Sequence, residues 1–194
     1  RLLIADVGET TYQELFSERA ITRLGQGLAR TGMLSPEAQA RSFEALAAFT
    51  ENIHRHPVIA VDVVATSALR KAMNAGAFRR DLKQRTGLDL RVIDGEEEAR
   101  LTLTGVRRAL SQGKPADEDP LASSLLIDIG GGSTELMVIE GGVLRSERSL
   151  DLGAVYLFER FLHSDPPKEH ASEALRREGG QVLEDCERAL ARAP

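Results

Sequence analysis

The most informative segment of the sequence is LLIDIGGGSTEL, residues 125–136. An apolar strand leads into Asp128, and three glycines, two hydroxyl residues and a second apolar strand follow. Glycine allows positive φ and a close approach of the backbone to an anion, and successive N–H groups can form a concave anion-binding nest. Asp128 offers carboxylate oxygens, which Mg²⁺ prefers as ligands. An ordinary hairpin with a glycine-rich turn is the alternative, but the complete string favours a phosphate site.

The residues after this string predict a small antiparallel sheet. Segments 124–129, 135–139 and 143–150 are predicted strands joined by tight glycine turns, which is typical of a meander. A strand after the glycines excludes the dinucleotide-binding fingerprint, and the lack of a following Gly-Lys-Ser/Thr excludes a P-loop. A helix over 154–162 and a charged helical stretch over 169–193, interrupted at Gly179-Gly180, are expected next.

The residues before the string alternate between strands and helices, which predicts an α/β layered sheet. The predicted strands are 1–7, 10–21, 58–65 and 88–93. Five of the eight residues of segment 58–65 are β-branched, so we expect this segment to be buried on both faces. Segment 25–32 is predicted to be a loop, and Ser35-Pro36 is predicted to begin a helix. Further helices are expected at 67–73, at 74–87 with Asn74 as the cap, and at 94–110. The Gly/Pro/Asp-rich stretch 111–121 is the expected domain boundary.

Composition narrows the function classes. The 194 residues are 42% hydrophobic and 28% charged, which is typical of a soluble globular protein. No apolar run approaches the roughly 18 residues of a membrane span. The single Cys186 excludes an intrachain disulfide and favours a reducing, cytoplasmic location. A net charge of −5 argues against nucleic-acid binding, but it leaves a small anionic substrate open.

Two other polar segments could carry chemistry. Three consecutive glutamates, residues 96–98, begin the helix expected at 94–110, where the macrodipole favours acidic side chains. One of them could act as a general base, although spacing alone does not choose among the three. Arg70 follows the polar residues Thr66-Ser67 at the end of a predicted central strand, where α/β sheets place ligands. Its guanidinium could bind a phosphate, or it could be an ordinary solvated side chain.

These strings together resemble the exopolyphosphatase / guanosine pentaphosphate phosphohydrolase (Ppx/GppA) family of the actin/Hsp70/sugar-kinase superfamily. The resemblance is carried by VATSALRKAMNA at 64–75, GEEEARL at 95–101 and LIDIGGGSTEL at 126–136, with support from 1–6 and 152–155. It implies two ribonuclease-H-like domains, 1–120 and 121–194, with mixed sheets flanked by helices. The family's first strand with its Asp-x-Gly-Ser/Thr-Asn-Ser/Thr loop and the later part of the second domain are expected to be missing.

The resemblance also implies roles for particular residues. Glu98 would be the base that activates water, and Asp128 and Glu135 would hold Mg²⁺ or Mn²⁺. The phosphate-binding residues would be Gly130, Gly131, Gly132, Ser133, Thr134 and Arg70. The implied activity is Mg²⁺-dependent release of orthophosphate from the ends of inorganic polyphosphate.

Three other functions stay open at this stage. The same site could remove the 5′-phosphate of guanosine pentaphosphate, or a binding protein could hold polyphosphate without hydrolysing it. The last alternative is a sugar kinase or filament protein of the wider superfamily, which would share the phosphate loop but has no reason to carry the Glu-Glu-Ala-Arg string. Nucleic acid and membrane are not expected as partners, and a homodimer is left open.

Overall fold

The computed structural model describes residues 1–8, 12–111, 119–162 and 164–190, which form two compact units, Arg1–Val92 and Ile93–Pro194. The division falls after Val92 and not within the expected boundary at 111–121, because the helix that begins at Gly95 packs on strands of the second unit. Residues 9–11, 112–118 and 191–193, on which parts of the predicted second strand, linker and last helix fall, lie outside the described residues. The assignment of ribonuclease-H-like domains to 1–120 and 121–194 stays a prediction.

Within its described residues, the first unit contains two small sheets and four helices. Strands β1 (Leu2–Val7) and β2 (Tyr12–Glu18) pair antiparallel, and β3 (Val63–Ala65) and β4 (Leu90–Val92) pair parallel. The helices are α1 (Leu28–Thr31), α2 (Pro36–His54), α3 (Ser67–Lys71) and α4 (Ala75–Thr86). The predicted start of α2 is confirmed, since the Ser35 hydroxyl accepts the Ala38 N–H at 3.2 Å. The unit's core centres on the fully buried Phe78 and Leu82 of α4.

Three local predictions for this unit are wrong. Segment 58–65 is paired only at Val63–Ala65, and Ile59 is fully exposed, because β-branched composition does not supply a neighbouring strand. The loop predicted over 25–32 contains the short helix α1. The Asn74 side chain makes no cap for α4; its amide bonds the backbone N–H and carbonyl of Leu34, at 2.9 and 3.0 Å.

The second unit begins with helix α5 (Gly95–Ser111) and continues as a three-stranded sheet. Strands β5 (Ser123–Ile129), β6 (Thr134–Glu140) and β7 (Val143–Leu150) pair antiparallel in chain order, which confirms the predicted meander. Helices α6 (Ala154–Phe161) and α7 (Glu169–Leu190) follow, and α7 runs unbroken through Gly179 and Gly180, contrary to the predicted interruption. Across the described ranges, no helix is both long and apolar enough to cross a lipid bilayer.

Helix α5 covers one face of this sheet. Ala99 and Leu103 of α5 form a core cluster with the fully buried Met137 and with Ile139 of β6. Side chains alternate between the two faces of a strand. Asp128 and Glu135 therefore lie on the face beneath α5, whereas Leu125, Ile127 and Ile129 of β5 project from the other face and are exposed.

Candidate functional site

A row of polar side chains crosses the sheet of the second unit. Asp128 of β5 is directly opposite Glu135 of β6, which is in turn opposite Ser149 of β7. Glu135 is only 3% exposed, and its Oε1 accepts a hydrogen bond from the Ser149 hydroxyl at 2.9 Å. Half-buried Asp128 accepts a long, weak bond, 3.4 Å, from the Thr102 hydroxyl of α5. The two residues predicted to hold a metal are therefore neighbours on one face.

The first turn of α5 is held in place by Asp94. The Asp94 Oδ1 accepts the backbone N–H of Glu97 at 2.8 Å, which satisfies one of the N–H groups left free at a helix start. This cap was not predicted from the sequence, although an aspartate directly before a helix is its usual signal. On the sheet-facing side of α5, Gly95 lies against Ser149 and Thr102 against Asp128. The beginning of α5 thus lies over the polar row.

Helix geometry distinguishes the three glutamates. Successive helical residues are rotated by about 100°. Glu98, three residues after Gly95 and four before Thr102, lies beside their sheet-facing stripe, whereas Glu97 lies on the opposite side. Glu96 lies on the other flank, pairs with Arg100 and faces Glu147 of β7. Of the three, Glu98 is therefore the one on the flank nearest Asp128, and it is the glutamate that the resemblance implies to be the base.

Glu147 lies under the other flank of α5. Its burial raises the pKa of this carboxyl, and the negative charges of Glu96 and Asp94 add to the effect. Its Oε2 is buried and has no hydrogen-bond partner among the described residues. Position 147 therefore accommodates a neutral side chain better than an ionised one.

The glycine loop between β5 and β6 is narrow. The Gly130 N–H donates to the Ser133 carbonyl at 2.9 Å. None of the three loop glycines has positive φ, so the expected use of glycine for a left-handed backbone is wrong. Glycine is used here for close packing. The backbone of Gly131 and Gly132 touches Gly153, at the start of α6, where a Cβ would overlap their carbonyl carbons.

The two hydroxyl residues after the glycines are buried. The Thr134 hydroxyl donates to the Leu152 carbonyl at 2.9 Å. Its hydrogen is thus engaged within the protein, which favours a structural role over donation to phosphate. Neither Gly153 nor Ser149 was singled out from the sequence as part of this site, because both reach it only through tertiary contact.

Arg70 belongs to the first unit. It is half-buried in the last turn of α3, after strand β3. The Ser67 hydroxyl nearby is buried and lacks a hydrogen-bond partner within the described ranges. Arg70 follows the end of a parallel strand, but among the described residues β3 pairs only with β4, so the predicted central position of this strand is not confirmed. The phosphate contact of Arg70 stays a prediction.

Three basic side chains of α4 make contacts within the first unit. Arg79 Nε donates to the Leu90 carbonyl at 2.8 Å, and Lys83 pairs with Asp89 at 2.8 Å. The Arg85 guanidinium lies over the Phe43 ring, 4.6 Å from its centroid. These contacts account for Arg79, Lys83 and Arg85 without a bound polyanion.

The donor set at the polar row is small. In the part of the chain that the structure describes, no group of three or more His, Cys, Asp or Glu side chains could hold a metal ion. Asp128 and Glu135 supply two carboxylates, and Mg²⁺ in proteins is commonly held by one or two carboxylates together with water and phosphate oxygens. The pair fits a cation that is bound together with a phosphate substrate.

Comparison with known proteins gives consistent matches over the whole chain. The model of the Ppx/GppA phosphatase family matches residues 3–193. Exopolyphosphatase 2 of Mycobacterium tuberculosis is 39% identical over 204 residues, covering 100% of this chain and 60% of that protein. The chain thus spans about 60% of the length of the curated relatives it matches.

Solved structures agree with this match. An exopolyphosphatase from Cytophaga hutchinsonii superimposes with a TM-score of 0.84 at 30% identity, over 97% of this chain and 58% of that one. The Aquifex aeolicus PPX-GPPA enzyme gives a TM-score of 0.69 at 29% identity, over 95% and 59% of the two chains. The predicted α/β fold class is therefore confirmed, and this chain belongs to the Ppx/GppA phosphatase family.

Proposed function

We propose that this chain carries part of the active site of an exopolyphosphatase, which hydrolyses the terminal phosphoanhydride bond of inorganic polyphosphate and releases orthophosphate. The observation that carries the proposal is the position of Glu98 on α5, on the flank next to Asp128 and above the row that also contains Glu135. The similar protein from M. tuberculosis is an exopolyphosphatase by name, which supports the same substrate class.

The chemistry assigned to the chain's own residues is simple. Glu98 takes a proton from a water molecule as the water attacks the terminal phosphorus, and the bond to the bridging oxygen breaks. The products are orthophosphate and a chain shortened by one phosphate. Backbone N–H groups of the glycine loop stabilise the negative charge that spreads over the phosphate oxygens. Arg70 is a further proposed contact for substrate phosphate.

Asp128 and Glu135 are the proposed ligands for Mg²⁺ or Mn²⁺. Their oxygens suit a hard cation, and the Ser149 hydroxyl holds the Glu135 carboxylate in place. When bound, the cation would reduce the repulsion between the substrate's phosphates and the acidic row.

The test is a chimera in which this chain replaces the matching 60% of M. tuberculosis exopolyphosphatase 2. Glu98→Gln should lower phosphate release from long-chain polyphosphate about 10²–10⁴-fold, the usual contribution of a general base. Polyphosphate affinity should stay within a few-fold, because a base acts in the transition state. Glu97→Gln is the matched control and should be nearly silent. A crippling Glu97→Gln with an active Glu98→Gln would refute the assignment.

The same chimera distinguishes the other functions. Faster release from guanosine pentaphosphate than from polyphosphate would make the nucleotide the preferred substrate. Tight polyphosphate binding with no release would indicate a sensor, although a protein that only binds has no need of Glu98. A cytoplasmic location and a homodimer are separate proposals.

A further inference from the structure

The start of α6 holds the glycine loop from one side. The Ala154 N–H donates to the Gly130 carbonyl at 2.9 Å, and the N–H groups of Val155 and Tyr156 donate to the Gly131 carbonyl at 2.9 and 3.0 Å. These are N–H groups that a helix leaves without partners at its start. The loop therefore uses the end of α6 as an anchor, and these three donors are not available to an anion.

This anchor sets the direction of the next two N–H groups. In a trans peptide the carbonyl and the following N–H point in opposite directions. Because the carbonyls of Gly130 and Gly131 point toward α6, the N–H groups of Gly131 and Gly132 both point away from it. No hydrogen bond among the described residues engages either N–H. The loop thus presents two neighbouring donors on the side opposite α6.

The anchor also occupies a carbonyl that an ordinary turn would use for its own hydrogen bond. In an ordinary tight turn the Gly130 carbonyl would accept the Ser133 N–H. Here that carbonyl accepts from Ala154, and the turn forms without the positive φ that hairpin turns normally need. The unusual turn thus occurs together with the contact with α6.

Gly153 makes this approach possible. Its φ of −73° suits any residue, so backbone conformation does not require glycine here. Space does, because a Cβ at position 153 would overlap the backbone of Gly131 and Gly132. The hydrogen bond from Thr134 to the Leu152 carbonyl fixes the residue just before it.

We infer that Gly153 is a positioning residue for the glycine loop. Because residue 153 has no side chain, the N–H groups at the start of α6 can hydrogen-bond to two loop carbonyls. These bonds orient the N–H groups of Gly131 and Gly132 toward the oxygens of a bound phosphate. Thr134 supports the same contact through Leu152. The inference rests on the proposed function only for the identity of the anion.

The test uses the ¹⁵N-labelled 194-residue chain titrated with inorganic tripolyphosphate. The amide signals of Gly131 and Gly132 should shift together and give one dissociation constant. Gly153→Ala should weaken binding about tenfold or more, the effect of misdirecting charge-assisted hydrogen bonds. The matched control is Gly179→Ala, since a Cβ there meets nothing within 4 Å. It should bind like the unmodified chain.

A second pair of variants guards against misfolding of Gly153→Ala. Thr134→Val removes the hydroxyl that holds Leu152 and should weaken binding, whereas Thr134→Ser keeps the hydroxyl and should restore it. Unchanged affinity and shifts in Thr134→Val or in folded Gly153→Ala would overturn the inference. So would the absence of any shift at the two amides at saturating tripolyphosphate. Loop shifts in this chain without phosphate release by the chimera would instead count against the proposed function alone.

Discussion

Replacing Gly179 and Gly180 by alanine should stabilise the second unit. Both glycines lie inside the continuous helix α7, and a Cβ at either position meets no atom within 4 Å. Neither has positive φ, so alanine fits the existing backbone. Glycine inside a helix costs about 0.8–1.0 kcal/mol relative to alanine. The double variant should therefore gain roughly 2 kcal/mol, because each change acts independently on the unfolded chain.

Denaturant unfolding followed by circular dichroism measures this gain. A higher midpoint with an unchanged slope indicates a stability change without a change in compactness. Gly142→Ala is the control in the other direction, because Gly142 has φ of +74° in the turn between β6 and β7. That change should destabilise the unit. A double variant that is no more stable than the unmodified chain would refute the unbroken helix, since a break at these glycines would need their flexibility.

Two further changes test the polar row and its neighbour. Asp128→Asn should lower both the activity of the chimera and its dependence on Mg²⁺. Little stability should be lost, because the bond from Thr102 to Asp128 is weak. If the variant is as active as the unchanged chimera in excess Mg²⁺, Asp128 is not a metal ligand. Glu147→Gln should raise the free energy of unfolding at neutral pH. A carboxyl whose pKa is raised by folding destabilises the folded state as the pH rises above the ordinary pKa of glutamate, and the glutamine side chain removes this effect. Thermal melts should show the two proteins converging below the ordinary pKa of glutamate, and a constant difference at all pH values would contradict the electrostatic cause.

The local parts of the fold were predictable from the sequence. Apolar segments separated by glycine pairs indicate hairpins, and the meander of the second unit follows from them. Ser35-Pro36 indicates a helix start by the same local chemistry. These features need only contacts between residues close in the chain.

Features that depend on distant partners were not predictable. The β-branched run 58–65 predicted a buried strand, but pairing depends on which strand lies beside it, and only Val63–Ala65 has such a neighbour. Gly179-Gly180 predicted a break, yet α7 continues through both. The helix propensity of two residues is a small effect compared with the stabilisation that the rest of the helix provides.

The candidate site shows the same limit. The motif located the glycine loop and three glutamates, and the family resemblance selected Glu98. Residue spacing alone did not select it, because the physical distinction lies in the direction of α5 over the sheet. Gly153 lies some twenty residues beyond the loop, and its role is visible only where the two backbones touch. The loop glycines lack the expected positive φ, and the loop carbonyls are bonded to α6, a distant contact that no local pattern shows.

Strand β6 has a consequence for how this protein would lose function on heating. It is the central strand of the sheet, bonded on both sides, and it carries Glu135 on the same face as the buried Met137 and Ile139. Segments with many protected hydrogen bonds and buried contacts open only near the global unfolding free energy. The polar row is therefore expected to unfold together with the core of the second unit and not in a separate step. Inactivation by heat should coincide with the cooperative unfolding of that core.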